Sequence, residues 1–310
     1  MLLSVNDLSV AFPTPKGLVR PVDGVSFEIG EREIVGLVGE SGSGKSLTGL
    51  SLMRIAPPNA QLGGSVLWNG EDVFKMSPSR LRRLRGGEAA MVFQDPFTSL
   101  NPLMTVGEQV SETIRLHQGL SRAQAKQRAI EMLAEARIPS PETTYRRYPH
   151  QLSGGQRQRA MIAIAFACQP KLLIADEPTT ALDATLQVQI LELILALQRS
   201  HGTATLLISH DLGVIGAVCE RMMVMYSGRI VETGDTKEVL ANPRHPYTQA
   251  LLDSLPGGEK RPTPIPDQPP DPASRPPGCA FHPRCSRAFD RCRVERPDLI
   301  GSAACWLRQE

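Results

Sequence analysis

The chain has 310 residues, 41% of them hydrophobic and 21% charged, with a formal net charge of +2. This composition excludes a fibrous or largely disordered protein and supplies no global basic field for nucleic acid or an anionic membrane. Residues 243–310 hold 10 basic and 8 acidic side chains, which leaves 24 of each sign from the totals of 34 and 32 for residues 1–242, so the small excess lies in the tail.

The length suits about two domains at roughly 150 residues each. The longest apolar run, Ala160 to Cys168, spans nine residues, against about 20 for a membrane-crossing helix. The opening MLLSVNDLSV lacks a basic stretch and is broken by Asn6 and Asp7, unlike a secretory leader. The reading is a cytoplasmic chain that reaches a membrane only through partners.

In chain order, Leu2–Phe12 and Val25–Ile29 read as strands, and Glu33–Val38 as a short buried strand entering a glycine-rich turn. Leu47–Ile55 reads as a helix. From Thr105 to about Phe166 the pattern is helical without an intervening strand, and Ser121 and Ser153 stand at N-cap positions. Alternation resumes with a strand at Lys171–Ala175, a helix at Ala184–Ser200 and a strand at Thr203–Ile208, which predicts an α/β domain carrying a helical insert. From Pro256 to Gly278 there are nine prolines in 23 residues, a composition that allows neither helix nor central strand and predicts an extended linker.

Gly39-Glu40-Ser41-Gly42-Ser43-Gly44-Lys45-Ser46 fits G-x-x-x-x-G-K-[ST] between a strand and a helix, the context that motif requires. Its glycines let backbone N–H groups face phosphate oxygens, and the helix N-terminus adds positive potential. Lys45 is expected to pair with the β- and γ-phosphates, and the Ser46 hydroxyl to bind magnesium. About 130 residues later, Leu172–Ala175 ends in Asp176 and Glu177. Asp176 suits the magnesium shell through water, and Glu177 suits a group that orients the attacking water. Ser153-Gly154-Gly155-Gln156 is a second phosphate-seeking helix start. Either the chain binds two ligands or each loop supplies half of a site completed by another chain.

The set resembles the nucleotide-binding domain of ATP-binding cassette proteins. Gly39–Ser46 looks like its phosphate loop, Gln94 lies in a glutamine loop, and Leu152–Gln156 matches the Leu-Ser-Gly-Gly-Gln signature. Leu172–Glu177 matches the second Walker strand, Ala181-Leu182-Asp183 the loop after it, and His210 the switch histidine. The resemblance implies a RecA-like phosphate-loop core with an antiparallel β subdomain and a helical insert at about 98–166, together spanning 1–242. It implies ATP and Mg2+ as ligands, held in part by Ser46, Gln94 and Asp176, with Glu177, His210 and Gln94 in catalysis.

In that family two domains pair head to tail, so Ser153, Gly154, Gly155 and Gln156 are expected at a partner's ATP and Asp183 at the dimer contact. An adenine-stacking aromatic is expected about 25 residues before the phosphate loop. Phe12 is the nearest candidate, and a core position at a strand end is its other reading. His210 likewise has a plainer reading, as a cap at a strand end.

Phe93–Pro102, Tyr148-Pro149-His150-Gln151 and His245-Pro246-Tyr247-Thr248 look like the oligopeptide and dipeptide importer branch. That branch implies a paralogous ATPase partner rather than a homodimer, two transmembrane permease subunits, an external binding protein acting indirectly, and a place on the cytoplasmic face of the inner membrane. Nickel or another small solute is the alternative cargo. A DNA-repair or translation cassette is the competing class, but the roughly 100-residue insert shows no sustained heptads and there is one phosphate loop.

The tail 243–310 places Cys279, Cys285, Cys292 and Cys305 after the 256–278 linker as C-x5-C-x6-C-x12-C. The spacing matches neither a C-x2-C zinc ribbon nor the common bacterial ferredoxin run. Four thiolates hold zinc or a 4Fe–4S cluster, and reduced cysteines without metal are the third reading. His282 and Arg284 beside them are expected to favour thiolates. The importer resemblance implies the cluster. A module of about 30 residues has too little core to fold alone, so a staple is expected.

Overall fold

The computed structural model describes residues 1–15, 17–180, 182–255 and 262–308. In chain order its strands are β1 (Leu3–Thr14), β2 (Gly17–Ile29), β3 (Ile34–Val38), β4 (Gln61–Trp68), β5 (Glu71–Asp72), β6 (Ala89–Val92), β7 (Leu172–Asp176), β8 (Ala204–Ser209), β9 (Arg221–Tyr226) and β10 (Arg229–Asp235). The helices of six residues or more are α1 (Lys45–Leu52), α2 (Pro78–Arg83), α3 (Val106–Gln118), α4 (Arg122–Glu135), α5 (Gly154–Phe166), α6 (Ala184–His201), α7 (Leu212–Val218), α8 (Thr236–Ala241) and α9 (Pro246–Asp253). The chain forms two compact units, one of residues 1–29, 34–74 and 207–310, the other of residues 30–33 and 75–206.

The first unit holds an antiparallel sheet in the order β2-β1-β4-β5. Leu3 pairs with Ile29 on one side and Trp68 on the other, and Leu3, Val5, Leu8 and Val10 turn inward. The strict alternation slips between Val5 and Leu8, where Asp7 is left-handed at φ 50°, a bulge that keeps both ends of β1 facing the core. β3 is buried along its whole length. It runs parallel to β9, with Val35 opposite Arg221 and Val38 opposite Val224, and β10 returns antiparallel to β9.

The C-terminal extension folds onto this unit. The Thr233 N–H donates to the Ser302 carbonyl at 2.9 Å and the Ala304 N–H to the Val231 carbonyl at 2.8 Å, fastening residues 302–304 to β10. Phe281 stands edge-on to Tyr226 with centroids 5.2 Å apart, and Tyr247 lies 4.5 Å from Tyr226. The tail's aromatic anchors share the core of β9 and α9. Residues 262–278 contain no helix or strand, while Pro256–Arg261 lie outside the described residues.

The second unit pairs β6 with β7 in parallel, Ala89 opposite Leu172 and Val92 opposite Ala175. From Thr105 to Phe166 helices follow one another without a strand. Thr105, Ser121 and Ser153 each close a capping box with Glu108, Gln124 and Gln156, which satisfies two of the otherwise unpaired N–H groups at each helix start. α3 and α4 bury Val110, Ile114, Ala125, Ala129, Met132 and Leu133 against each other. In α6, Ile190, Leu193, Ile194 and Leu197 form the buried stripe at helical spacing, and Gly202, left-handed at φ 64°, ends the helix.

Candidate functional site

In the first unit, β3 delivers the chain into Gly39–Ser46 and α1 leaves from Lys45. Gly44 sits at φ 104°, and a side chain there would meet the Pro21 carbonyl at 2.7 Å, so only glycine allows this turn into the helix. Gly39 is required by close approach instead: an added Cβ would run into the Met225 carbonyl of β9. The Lys45 side chain is buried, and its ammonium donates to the carbonyls of Gly39 at 2.7 Å and Glu40 at 3.0 Å. The Ser43 hydroxyl is buried without a hydrogen-bond partner, an orphaned donor in a loop that otherwise presents backbone N–H groups. Ser41 and Gly42 are exposed, and Ser46 is partly exposed in the first turn of α1. A phosphate chain fits such a cradle.

His210 is exposed just beyond β8. Asp211 beside it caps α7, its carboxylate accepting from the N–H groups of Gly213 at 2.7 Å and Val214 at 3.3 Å. Phe12 lies in β1 opposite Val19 of β2 and is half-buried.

In the second unit, β7 ends on Asp176, which is 5% exposed. Glu177 then turns the chain in a left-handed conformation at φ 44°. Its Oε2 accepts from Gln94 Nε2 at 3.1 Å and from Thr180 Oγ1 at 2.9 Å. Gln94 and Glu177, 83 positions apart, are thus brought together, and Thr180 is a partner that sequence reasoning missed. Ser153 caps α5, with its hydroxyl accepting from the Gln156 N–H at 3.3 Å while Gln156 Oε1 accepts from the Ser153 N–H at 3.1 Å. Ser153, Gly154, Gly155 and Gln156 line one open pocket of about 470 Å3 together with Asp183 and Arg159. Asp183 also caps α6, accepting from the Leu186 N–H at 2.9 Å. Ala181 lies outside the described residues.

The four tail cysteines line one small cavity with His245, His282 and Trp306, and none is in a disulfide. Among the described residues no group of three or more His, Cys, Asp or Glu is arranged to hold a metal ion. Burial pushes the Cys279 thiol up to about 11 and raises those of Cys285 and Cys305. The expectation that Arg284 favours thiolates therefore needs correction. Its guanidinium is turned away to the carboxylate of Glu40, with Nη1 at 2.7 Å from Oε2 and Nη2 at 2.9 Å from Oε1, and desolvation dominates at Cys279, Cys285 and Cys305. What sequence reasoning did not find is this link between the tail and the phosphate loop, completed by Tyr247, whose hydroxyl accepts from the Glu40 N–H at 2.8 Å.

Residues 22–180 match the family model described as ABC transporter. The chain belongs to the ABC transporter family. Residues 231–292 match a second model, the oligopeptide/dipeptide transporter C-terminal region. A Brucella abortus (strain 2308) protein named for peptide import and ATP binding is 52% identical over 98% of this chain and 93% of its own. The dipeptide transport ATP-binding protein DppD of Escherichia coli (strain K12) is 48% identical over 96% of this chain and 92% of its own. Among solved structures, the dimeric post-hydrolysis state of the ATP-binding cassette MJ0796 bound to ADP and Pi covers 76% of this chain and 98% of its own at 28% identity, with a TM-score of 0.67. The fold is therefore the mixed α/β cassette of an ABC ATPase, an enzyme that hydrolyses ATP with Mg2+. Among the described residues no helix is long and apolar enough to cross a membrane.

Proposed function

We propose that this chain is the ATP-hydrolysing subunit of an ABC importer of dipeptides or oligopeptides, bound peripherally to permease subunits at the cytoplasmic face of the inner membrane. The observation that carries the reading is that both halves of the chain match, the cassette over 22–180 and the peptide-transporter extension over 231–292. Nearly full-length relatives named for peptide or dipeptide transport support it.

Each residue then has a task set by its chemistry. The backbone of Gly39–Ser46 cradles the phosphates, Lys45 pairs with the β- and γ-oxygens, and Ser46, Gln94 and Asp176 are the oxygen donors that would hold magnesium, which would neutralise charge on the phosphates. Glu177 accepts the proton side of the attacking water and aligns it, held by Gln94 and Thr180. His210 reaches the γ-phosphate. The capped turn at Ser153–Gln156 offers N–H groups to the γ-phosphate in the partner's phosphate loop, and Asp183 sits at that dimer contact. The partner is a paralogous ATPase, so each site draws on both chains. ATP closes the pair and hydrolysis reopens it, which moves the permeases. The external binding protein selects the peptide and acts on this chain only through the permeases.

The cysteine tail extends this reading. The four cysteines line one cavity, and it is the resemblance to the peptide-importer branch that favours a 4Fe–4S cluster over zinc or reduced thiols there. The cluster's role here is to tie the ends of the tail together. Iron, acid-labile sulfide and zinc are measured on anaerobically purified protein. About four irons and four sulfides per chain with absorbance near 400 nm support the cluster, and one zinc without iron refutes it. The transport reading is tested by peptide uptake in cells whose only copy of this chain carries Lys45→Ala: loss of uptake supports it, and unchanged uptake sinks it.

A further inference from the structure

We propose that the C-terminal extension positions the phosphate loop for nucleotide, with Arg284 as the positioning residue and Glu40 as the point of contact. The inference rests on the reading of Gly39–Ser46 as the phosphate loop.

Glu40, the second residue of that loop, has every polar group committed. Its carboxylate takes both arms of the Arg284 guanidinium, its N–H donates to the Tyr247 hydroxyl, and its carbonyl accepts from Lys45 Nζ at 3.0 Å and the Ser43 N–H at 3.2 Å. Two of these four partners, Arg284 and Tyr247, come from the extension. Another is the ammonium that must meet the phosphates. Whatever fixes Glu40 therefore fixes one of the carbonyls that aim Lys45.

Arg284 is built for the task. Its side chain is 3% exposed, and five hydrogen bonds match its five N–H donors. Besides the two to Glu40, Nε donates to the Pro266 carbonyl at 2.7 Å, Nη2 to the Asp267 carbonyl at 3.2 Å and Nη1 to the Tyr226 hydroxyl at 3.3 Å. The plane is braced by the rings of Tyr226 and Phe281, at 5.8 and 6.0 Å. A bidentate charge-assisted pair with every other donor satisfied fixes geometry as well as energy. The brace extends along β9, because Tyr226 follows Met225, whose carbonyl abuts Gly39. The linker thus acts as more than a spacer: two of its carbonyls hold the guanidinium that holds the loop.

A purely structural role for the pair changes stability and leaves nucleotide affinity alone, which separates it from positioning. The experiment measures affinity for a fluorescent ATP analogue with Mg2+, the KM and kcat of hydrolysis, and the melting temperature, all on the full chain. The variants are Arg284→Met, Glu40→Ala, their double mutant, Arg284→Lys, and Lys45→Ala as the control. Each single variant is expected to weaken nucleotide binding about tenfold, within the ~5–150-fold range typical of coupled sites, with KM rising more than kcat falls. The double mutant is expected to be no weaker than the worse single, and Arg284→Lys to recover part of the affinity. If Arg284→Met does not fold, Glu40→Ala decides alone, since it leaves the tail intact. Affinity within twofold of wild type in the folded variants overturns the proposal, and so does full additivity in the double mutant. If Lys45→Ala also binds normally, the phosphate-loop reading has failed instead.

Discussion

Replacing Glu177 by glutamine isolates the chemical step from everything that supports it. The left-handed turn at φ 44° follows directly on β7, and glutamine has the same length and branching as glutamate. In the native protein two donors, Gln94 Nε2 at 3.1 Å and Thr180 Oγ1 at 2.9 Å, reach the same oxygen, Oε2. An amide whose carbonyl oxygen takes that place keeps both hydrogen bonds, so folding and nucleotide binding are expected to remain at wild-type levels. What is lost is charge and basicity. A positioned general base contributes about 10²–10⁴-fold, which is about 3–5 kcal/mol of barrier. Phosphate release is measured with the purified chain at concentrations that allow pairing, in saturating ATP and Mg2+, with bound nucleotide determined on the same samples. The expected result is normal binding, a dimer that persists with ATP, and turnover slower by at least a hundredfold. Turnover within tenfold of wild type, with binding intact, removes Glu177 from the role.

Two further substitutions test the supports of the phosphate loop and the extension. Gly39→Ala drives a Cβ into the Met225 carbonyl and to 3.0 Å from Ser43 Oγ; because the obstacle is backbone, a loss of about 1–3 kcal/mol is expected, together with weaker nucleotide binding. Urea unfolding and nucleotide titration check it, and a variant unchanged in both contradicts the close packing of the loop on β9. Glu232, 1% exposed, accepts from the Arg244 N–H at 2.6 Å and the His245 N–H at 2.9 Å where the extension begins. Glu232→Ala strands two amides at about 1–3 kcal/mol each, whereas Glu232→Gln keeps one acceptor and loses roughly half as much. Equal urea midpoints for the two variants refute that account.

The local phosphate-binding strings were legible because backbone recognition of phosphate demands glycine at fixed offsets and a polar cap at a helix start. Lys45 and Ser153 stand in such strings: Lys45 opens α1 directly after Gly44, and Ser153 caps α5. Strands were harder. β4 contains Gly63 and Gly64 and is only partly buried, so its alternation is weak. β9, Arg-Met-Met-Val-Met-Tyr, is almost wholly buried and methionine-rich, without the period or the β-branched content that marks a strand. Arg284 shows the deeper limit. Beside Cys285 it read as a cation serving thiolates, yet its partner is Glu40, 244 positions away. No periodicity or spacing encodes a pair at that distance; only the docking of Tyr247 and Phe281 on Tyr226 brings it about.

The central claim is tested most directly by reconstituting this chain with its paralogous ATPase and both permease subunits in proteoliposomes, then adding binding protein loaded with a dipeptide. ATP hydrolysis and accumulation of labelled dipeptide inside the vesicles are followed together. The account predicts that hydrolysis rises when the loaded binding protein is added, that dipeptide accumulates, and that Glu177→Gln in this chain abolishes the accumulation. Hydrolysis indifferent to the loaded binding protein, or dipeptide accumulation that survives Glu177→Gln, contradicts it.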